Sequence, residues 1–215
     1  MKLTIIYDNT VFKPGLQSDW GFSCLVEVKN CPKILFDTGG NGEILLSNMR
    51  KLNIDPLSIK EVFISHTHLD HIGGLSVFLK VNNQVKVYLP ASWQRIRGAK
   101  EVISIKKSLK IHENIFSTGK LDHIEQSLIV KTQKGIVLIV GCSHPKMSHI
   151  LQAAASWGKV YAIIGGLHGF QEYELFQDLS LICPTHCTQH KAEIKRLYPN
   201  KYTEGGVGKI ITIAK

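Results

Sequence analysis

The densest concentration of chemically active side chains is the stretch HTHLDH at residues 66–71, which directly follows an apolar run. Crowding three imidazoles and a carboxylate together costs free energy unless a positive charge lies between them. On an extended chain His66 and His68 project to the same side, and Asp70 and His71 can turn toward a second point nearby. Nitrogen and carboxylate ligands of this kind suit zinc, iron or manganese. The spacing therefore predicts a site for two metal ions.

Polar residues also follow other apolar segments of the chain. Histidine-bearing turns end four apolar strands, at His66, His144, His168 and His186, and Asp37 ends a fifth in the same way. This repeated placement predicts convergence at one edge of a sheet sandwich, where rigid strands aim side chains from their terminal loops. We therefore expect histidines from distant parts of the chain to join the metal site.

The hydrophobic pattern alternates between strand-like and helix-like segments along the whole chain. The predicted strands are residues 2–8, 22–29, 33–36, 62–65, 85–89, 127–132, 135–140, 159–164, 181–183 and 209–213. The predicted helices are residues 43–52, 71–80, 90–99, 148–157, 172–179 and 189–197. Residues 102–118 are expected to hold two short strands. This alternation is typical of a mixed α/β (α+β) protein.

Length and composition are those of a globular protein. The chain has 215 residues, of which 44% are hydrophobic and 20% are charged, and no segment resembles a linker. We therefore expect one domain over residues 1–215. No apolar run approaches the length of a membrane span, and the first residues do not form a signal peptide, so a cytoplasmic location is expected. The five cysteines are expected to be reduced thiols.

Taken together, these motifs resemble the metallo-β-lactamase superfamily. The resemblance spans the chain, from the opening strand and the FDTGG turn at residues 36–40 to the HTHLDH stretch and the later single histidines. Four further motifs are similar to a branch whose members are described as similar to dihydropterin-ribofuranosylaminobenzene-phosphate synthase. These motifs are EQSL at 125–128, GCSHP at 141–145, GGLH at 165–168 and PTHCT at 184–188. The resemblance implies a four-layer αββα sandwich with a metal site at one edge.

Carried over by motif position, the resemblance also implies two ligand sets. The first metal would be held by His66, His68 and His144. The second metal would be held by Asp70, His71 and His186. Most superfamily members place a bridging aspartate after the next strand, whereas this chain has the GGLH motif there and no carboxylate before Glu172. His168 is the nearest donor and is expected to bind the second metal or to contact the substrate, with a structural role as the alternative.

Four other residues are candidates for roles around the metals. Asp37 is expected to orient the ligand loops by hydrogen bonding to backbone or imidazole groups. Lys146 follows His144 closely and is expected either to bind an anionic substrate or to point into solvent. Trp20 is expected to line the pocket or to pack in the core. Cys187 adjoins His186 and is expected to be a small buried side chain beside the site.

The leading functional prediction is metal-dependent hydrolysis at a mono- or dinuclear centre, with Zn²⁺ as the preferred metal and iron or manganese as alternatives. A metal-bound hydroxide would attack a phosphate ester or another anionic small molecule, while Asp70 orients it and moves a proton to the leaving group. The branch implies an alternative, a transferase that condenses a dihydropterin pyrophosphate with an aminobenzene ribotide.

The net charge of +9 raises a third possibility, nucleic-acid binding or processing. Six basic residues fall between Arg95 and Lys110, against the single acid Glu101. Such a surface attracts phosphates, although aromatic residues do not alternate with the basic ones as they do in nucleic-acid platforms. A small anionic substrate is therefore the expected partner. Neither nucleic acid nor a membrane is expected to be a partner.

Overall fold

The computed structural model describes residues 1–91 and 96–213. Its strands are β1 Lys2–Tyr7, β2 Ser23–Glu27, β3 Ile34–Phe36, β4 Glu61–Phe63, β5 Lys86–Pro90, β6 Glu101–Ile105, β7 Lys107–His112, β8 Ile115–Gly119, β9 Leu128–Thr132, β10 Gly135–Val140, β11 Val160–Gly166, β12 Leu181–Thr185 and β13 Ile210–Thr212. Its α-helices are α1 Gly42–Lys51, α2 Leu69–Ile72, α3 Leu75–Val81, α4 Met147–Ala155 and α5 Lys191–Leu197. Short 3₁₀ helices cover Pro56–Ser58 and Tyr173–Phe176.

The strands form two mixed sheets. The first sheet has the order β13-β1-β2-β3-β4-β5-β6, and the second has the order β12-β11-β10-β9-β8-β7. Strands β3 to β6 are parallel to one another, as are β10, β11 and β12. Because parallel strands end at the same edge of a sheet, the residues after β3 and β4 lie together, and so do those after β10, β11 and β12. These are the segments that carry the candidate ligands.

A hydrophobic core lies between the two sheets. The strand period of two is clear in β10, where Val137 and Ile139 face the other sheet. Their neighbours Ile136, Leu138 and Val140 face the helices on the outside of the second sheet. All five side chains are fully buried. The strand is therefore buried on both of its faces. Full burial of each of these side chains contributes about 1.5–3 kcal/mol of hydrophobic stabilisation.

Helices cover the outer face of each sheet. Met49 of α1 and Phe78 of α3 pack on the first sheet. Ile150 of α4 and Ile194 of α5 pack on the second sheet. The order of layers is thus helix, sheet, sheet, helix, which confirms the predicted αββα sandwich. Within the described residues, no helix combines the length and the apolar composition that crossing a bilayer requires.

The ten predicted strands are present, with ends shifted by a few residues. The stretch 102–118 differs from its prediction, because it contributes to three strands, β6, β7 and β8, instead of two. Strand β6 closes one edge of the first sheet, and β7 closes one edge of the second. The chain therefore crosses from one sheet to the other around Lys106, a feature that a local pattern does not report.

Three of the predicted helices differ from the structure. The helix expected over 90–99 is wrong at its start, because Pro90 ends β5 and is paired with Ile105 of β6. Residues 92–95 of that prediction lie outside the described residues. The helix expected over 172–179 is only the 3₁₀ turn Tyr173–Phe176.

The helix expected over 71–80 is divided at Gly73 and Gly74 into α2 and α3. A Cβ atom at Gly73 would lie 2.5 Å from the carbonyl oxygen of Gly40, and one at Gly74 would lie 2.3 Å from that of Thr38. Only glycine permits so close an approach. The break thus packs the start of the helical region against the turn that carries Asp37.

Candidate metal centre

Five imidazoles meet at the edge of the sandwich where the parallel strands end. The ring of His66 lies 4.6 Å from that of His68 and 4.8 Å from that of His144, measured between centroids. The ring of His71 lies 4.1 Å from His66 and 4.9 Å from His186. Since His66 follows the first sheet while His144 and His186 follow the second, the site is built across both sheets.

The possible ligand atoms form two groups that share one residue. The first group is His66, Cys142 and His144. The second group is Asp70, His71, Cys142 and His186. Within each group the ligand atoms lie within 4.8 Å of one another. His68 belongs to neither group, although its ring lies 4.7 Å from that of His144. The structure thus brings the six predicted ligands into one cluster and adds a thiol, Cys142, that the sequence analysis left out.

Asp37 is a fully buried acceptor that orients one of these histidines. Its Oδ1 accepts a hydrogen bond from the Ser65 backbone N–H, and its Oδ2 accepts from Ser65 Oγ and His71 Nδ1, each at 2.7 Å. With the proton on Nδ1, the lone pair on His71 Nε2 points into the site. Burial alone would lower the pKa of His71, but the Asp37 carboxylate outweighs it and the net shift is upward. These contacts are those that the predicted orienting role requires.

Ser65 extends the same network to His66. Its Oγ lies 2.9 Å from His66 Nδ1. Because the single hydroxyl proton of Ser65 goes to Asp37, Oγ accepts from His66 Nδ1–H, and the other ring nitrogen carries a lone pair. That nitrogen, Nε2, is buried without a hydrogen-bond partner. Burial, assisted by the nearby His71, lowers the pKa of His66. A neutral imidazole with an unpaired buried lone pair is the form that binds metals.

His186 is held by two residues from the loop after β1. Its backbone N–H donates to Asp8 Oδ1 at 2.7 Å, and its Nδ1 lies 2.9 Å from Asn9 Oδ1. Asn9 Nδ2 donates to the His186 carbonyl, so its Oδ1 is the acceptor for the ring. His186 Nε2 therefore carries a lone pair, and it faces Asp70 Oδ2 at 3.2 Å. Two acceptors at this separation repel each other unless a cation or a proton lies between or beside them.

Asp70 lies at the rim of the site, where its side chain is 22% exposed. Its Oδ2 accepts a hydrogen bond from the indole N–H of Trp20 at 3.0 Å. Burial raises the pKa of Asp70, but the interaction with His186 and the charge of His71 outweigh it and hold the pKa below its usual value. Trp20 is 60% exposed and also meets the edge of the His186 ring. It therefore lines the site and does not pack in the core.

Glu125 shapes the loop that carries two of the possible ligands. Its Oε1 accepts from the backbone N–H groups of Gly141, Cys142 and Ser143, at 2.9–3.2 Å. Its Oε2 accepts from the N–H of His144 at 3.0 Å. Nε2 of His144 is buried without a hydrogen-bond partner, and burial with the neighbouring His68 lowers the pKa of His144 to about 4. This buried carboxylate thus fixes both Cys142 and His144 as rigid donors.

His168 is placed differently from the expectation that it would replace the missing carboxylate. It is exposed, belongs to neither ligand group, and its ring lies 5.3 Å from that of His144. Cys142, and not His168, lies between the two groups. A contact between His168 and the substrate stays a prediction.

Cys187 is buried, and its Sγ lies 3.8 Å from the Cys142 carbonyl oxygen, so it is a neighbour of the site but is not in either ligand group.

Lys146 is exposed at the start of α4. Its backbone N–H donates to Asp122 Oδ2 at 3.0 Å, and Asp122 also pairs with His149. The side chain of Lys146 lines a cavity beside His144. Lys146 thus lies beside the site and is exposed, so anion binding and a side chain that points into solvent both stay predictions.

Five residues of the site were absent from the sequence-based site predictions: Asp8, Asn9, Ser65, Glu125 and Cys142. Glu125 and Cys142 lie in the EQSL and GCSHP motifs, which served only to indicate a resemblance. For Cys142, which shares the GCSHP motif with His144, that nearness was the available signal, and for Glu125 it was only its place in the EQSL motif. For Asp8 and Asn9 there was none, because they act on a histidine at the other end of the chain.

Asp37→Asn is expected to weaken metal binding about 10–100-fold, the usual cost of losing a partner that orients a metal-binding histidine. The one oxygen of an asparagine can keep the bonds from Ser65 Oγ and His71 Nδ1, but its amide NH₂ then faces the backbone N–H of Ser65, so that one donor opposes another and the negative charge beside His71 is lost. The measurement is a competition titration against a chromophoric chelator. Asp178→Asn, at an exposed position, is the matched control. Equal metal affinity in the two variants would contradict the orienting role of Asp37.

Comparison with known sequences identifies the family. Residues 22–145, more than half of the chain, match the sequence profile described as the metallo-beta-lactamase superfamily. A 7,8-dihydropterin-6-methyl-4-(beta-D-ribofuranosyl)-aminobenzene-5'-phosphate synthase from Methanocaldococcus jannaschii is 27% identical, and the alignment covers 88% of each protein.

Solved structures agree with this match. Tm1679, a metal-dependent hydrolase of the beta-lactamase superfamily, superposes with a TM-score of 0.83 and 26% identity over 100% of both chains. The metallo-beta-lactamase fold protein YhfI from Bacillus subtilis superposes with a TM-score of 0.71 over 98% of this chain and 99% of its own. Its identity is 12%, so this second likeness concerns the fold alone.

Proposed function

This chain belongs to the metallo-β-lactamase superfamily, and from that premise we propose that it is a metal-dependent hydrolase with a mono- or dinuclear site. We further propose that its substrate is a phosphate ester or another small anionic molecule. The name of Tm1679, a metal-dependent hydrolase that matches over the full length of both chains, supports the reaction type.

The observation that carries this proposal is a set of buried imidazole nitrogens without hydrogen-bond partners in one cluster. Nε2 of His66, His144 and His186 are buried nitrogens without a hydrogen-bond partner. Leaving a buried polar atom unpaired costs about 1–3 kcal/mol. Three such atoms in one cluster, beside the Asp70 carboxylate, fit divalent cations better than they fit a hydrogen-bonded structural core. The donor set therefore suits the metal that the family implies.

The residues that would hold the metals follow the two predicted sets. In this proposal His66, His68 and His144 would hold one metal, and Asp70, His71 and His186 would hold the other. Imidazole and carboxylate donors suit Zn²⁺ best, with iron and manganese as alternatives. A divalent metal in such a site polarises the substrate and lowers the pKa of water from 15.7 to about 7.

Asp70 is the residue that would move the proton. Its Oδ2 is already engaged by Trp20 and faces His186, which leaves Oδ1 to orient an attacking water and take its proton. The same carboxyl would then pass that proton to the oxygen of the leaving group. Trp20 holds the carboxylate in place for this transfer through its indole N–H.

A cavity of about 300 Å³ beside His144 is the proposed place for the rest of the substrate. Lys146, His168 and Glu172 contribute its polar side chains. Its size is at the lower end of the range for small-molecule sites. The ammonium group of Lys146 favours an anionic substrate, while Glu172 on the same wall disfavours a highly charged one.

A second candidate function is supported by the name of the Methanocaldococcus jannaschii relative, which is a synthase. In this reaction the metals held by the same residues would bind a dihydropterin pyrophosphate. An aminobenzene ribotide would take the place of water as the attacking group. The metal site cannot distinguish the two reactions, because the choice depends on whether the cavity admits a second organic substrate.

The experiment that tests the proposal begins with metal removal and reconstitution with zinc, manganese or iron. Elemental analysis is expected to find one or two metals per chain, and a panel of phosphodiesters, phosphomonoesters, lactones and thioesters is expected to show metal-dependent hydrolysis of a phosphate ester. Incubation with both pterin and ribotide substrates separates the candidates, since condensed product indicates transfer and free pterin alone indicates hydrolysis.

Fewer than one metal per reconstituted chain would contradict both enzymatic proposals. Hydrolysis of uncharged lactones alone would contradict the anionic substrate. Salt-dependent retention of RNA or DNA on a filter would contradict the small-molecule proposal in favour of nucleic-acid binding.

A further inference from the structure

We propose that the thiolate of Cys142 is the ligand shared by the two metal positions. This inference rests on the proposed metal site and goes beyond it, because it assigns a sulfur donor to a cluster that was expected to contain only nitrogen and carboxylate ligands.

The first step is geometric. Cys142 Sγ lies 3.1 Å from His71 Nε2, in the group that contains Asp70. The same sulfur lies within 4.8 Å of the ligand atoms of His66 and His144, in the other group. Among the described residues, it is the single donor found in both groups. A shared ligand must occupy this central position, and no carboxylate of the cluster does.

The second step concerns bond lengths. Ligand atoms bound at about 2.0–2.3 Å to a tetrahedral zinc lie about 3.3–3.8 Å from one another. The separations of no more than 4.8 Å within each group are close to that range, so small side-chain rotations suffice to close either group around an ion. A thiolate sulfur has lone pairs for two metals, and its longer bonds suit a position between them.

The third step is rigidity. The backbone N–H of Cys142 donates to the buried carboxylate of Glu125 at 3.0 Å, and the residue is only 3% exposed. A Cβ atom on the preceding Gly141 would lie 2.2 Å from Ser65 Oγ, so the loop rests directly against the strand end that carries His66. Glycine at this position allows the close approach, and the approach directs the thiol into the histidine cluster.

The fourth step is charge. Hydrogen bonds hold the Nδ1 atoms of His66, His71 and His186 and leave their Nε2 atoms for a metal, and Asp70 is the one carboxylate in the two groups. Two divalent cations in a largely buried site need more negative charge than one carboxylate supplies. The Cys142 thiolate adds one negative charge at the point where it acts on both ions. Sulfur donors also favour zinc and other soft metals over magnesium.

Cys187 provides the matched alternative. It is buried beside Cys142, with its Sγ 3.8 Å from the Cys142 carbonyl oxygen, yet it belongs to neither ligand group. A Cβ atom at Gly166 would lie 2.7 Å from this sulfur, so Cys187 Sγ packs closely against the end of β11. The structure therefore favours Cys142 over Cys187 as the sulfur ligand.

The test uses cobalt, because a sulfur bound to Co²⁺ gives a charge-transfer absorption in the near ultraviolet that nitrogen and oxygen ligands do not give. The full chain, stripped of metal and kept reduced, is titrated with Co²⁺ while absorbance and bound cobalt are recorded. The wild type is expected to bind two cobalt ions and to show the band, and Cys142→Ala is expected to lose the band and the second ion.

Three variants complete the experiment. Cys142→Asp, which replaces one anion by another, is expected to lose the band and still bind two ions, and circular dichroism checks that each variant is folded. Cys187→Ser and Cys31→Ser are expected to keep both the band and the stoichiometry. Persistence of the band in Cys142→Ala, or its loss in Cys187→Ser alone, would overturn the assignment.

The failure of this inference can be told from the failure of the proposed function. A wild type that binds cobalt without a sulfur band overturns the role of Cys142 and leaves the metal-dependent hydrolase standing. A wild type that binds no cobalt, zinc or manganese overturns both.

Discussion

Replacing His66 by alanine is expected to abolish metal-dependent turnover, with a loss well beyond the about 10–100-fold that removing an orienting partner costs. His66 is fully buried, and its Nε2 has no hydrogen-bond partner among the described residues, which is the environment of a metal-binding nitrogen. The substitution removes a donor from the group that also contains Cys142 and His144. The measurement is kcat/KM for the hydrolysed substrate, together with metal content per chain.

His149→Ala is the matched control for this experiment. His149 is a histidine with 47% side-chain exposure that pairs with Asp122 and belongs to neither ligand group. Its removal is expected to change turnover by no more than about twofold, in line with the small effect of most surface substitutions. Retention of metal-dependent activity by His66→Ala, with the metal content of the wild type, would contradict the assignment of His66 as a ligand.

Replacing Glu125 by alanine is expected to destabilise the protein by about 3–5 kcal/mol, the usual cost of removing one partner from a buried charged network. The carboxylate accepts four backbone N–H groups, those of residues 141–144, and is 1% exposed. Alanine leaves these donors facing a cavity, and each unsatisfied donor costs about 1–3 kcal/mol unless water enters. Urea denaturation of the metal-free protein gives the free energy of unfolding without the contribution of bound metal.

Two further variants sharpen the experiment. Glu113→Ala removes a glutamate that is 81% exposed and paired with Lys110 at the surface, so a change within about 0.5 kcal/mol is expected. Glu125→Gln is expected to be intermediate, because its oxygen can still accept from the loop while its amide group opposes the N–H of His144. A Glu125→Ala variant as stable as Glu113→Ala would show that the loop does not depend on this carboxylate.

The metal ligands of the HTHLDH stretch could be predicted from the sequence because they lie close together along the chain. The HTHLDH stretch places four donors within six residues, and no tertiary contact is needed to see them. Strand patterns were equally readable: β10 alternates between two apolar faces, and its end leads directly into the loop that carries His144. Together with the resemblance to a known family, these features were sufficient to predict the αββα sandwich.

Helices that were predicted to begin soon after a strand agree less well with the structure. Pro90 looked like the first residue of a helix, yet it ends β5, where a missing N–H is tolerated. The helical period after His71 was real, but close packing of Gly73 and Gly74 against another loop divides it in two. In both cases a contact with a distant segment overrides a correct local preference.

By itself, the sequence determined which kinds of donor this protein offers and that they stand at the ends of apolar strands, because residue type and hydrophobic period are local properties. Tertiary structure alone decided how those donors are oriented and which of them are shared. Asn9 fixes the ring of His186 across 177 residues, and Cys142 approaches His71 across 71 residues. The physical reason is that the direction of a lone pair depends on its hydrogen-bond partner, and these partners come together only when the two sheets pack face to face.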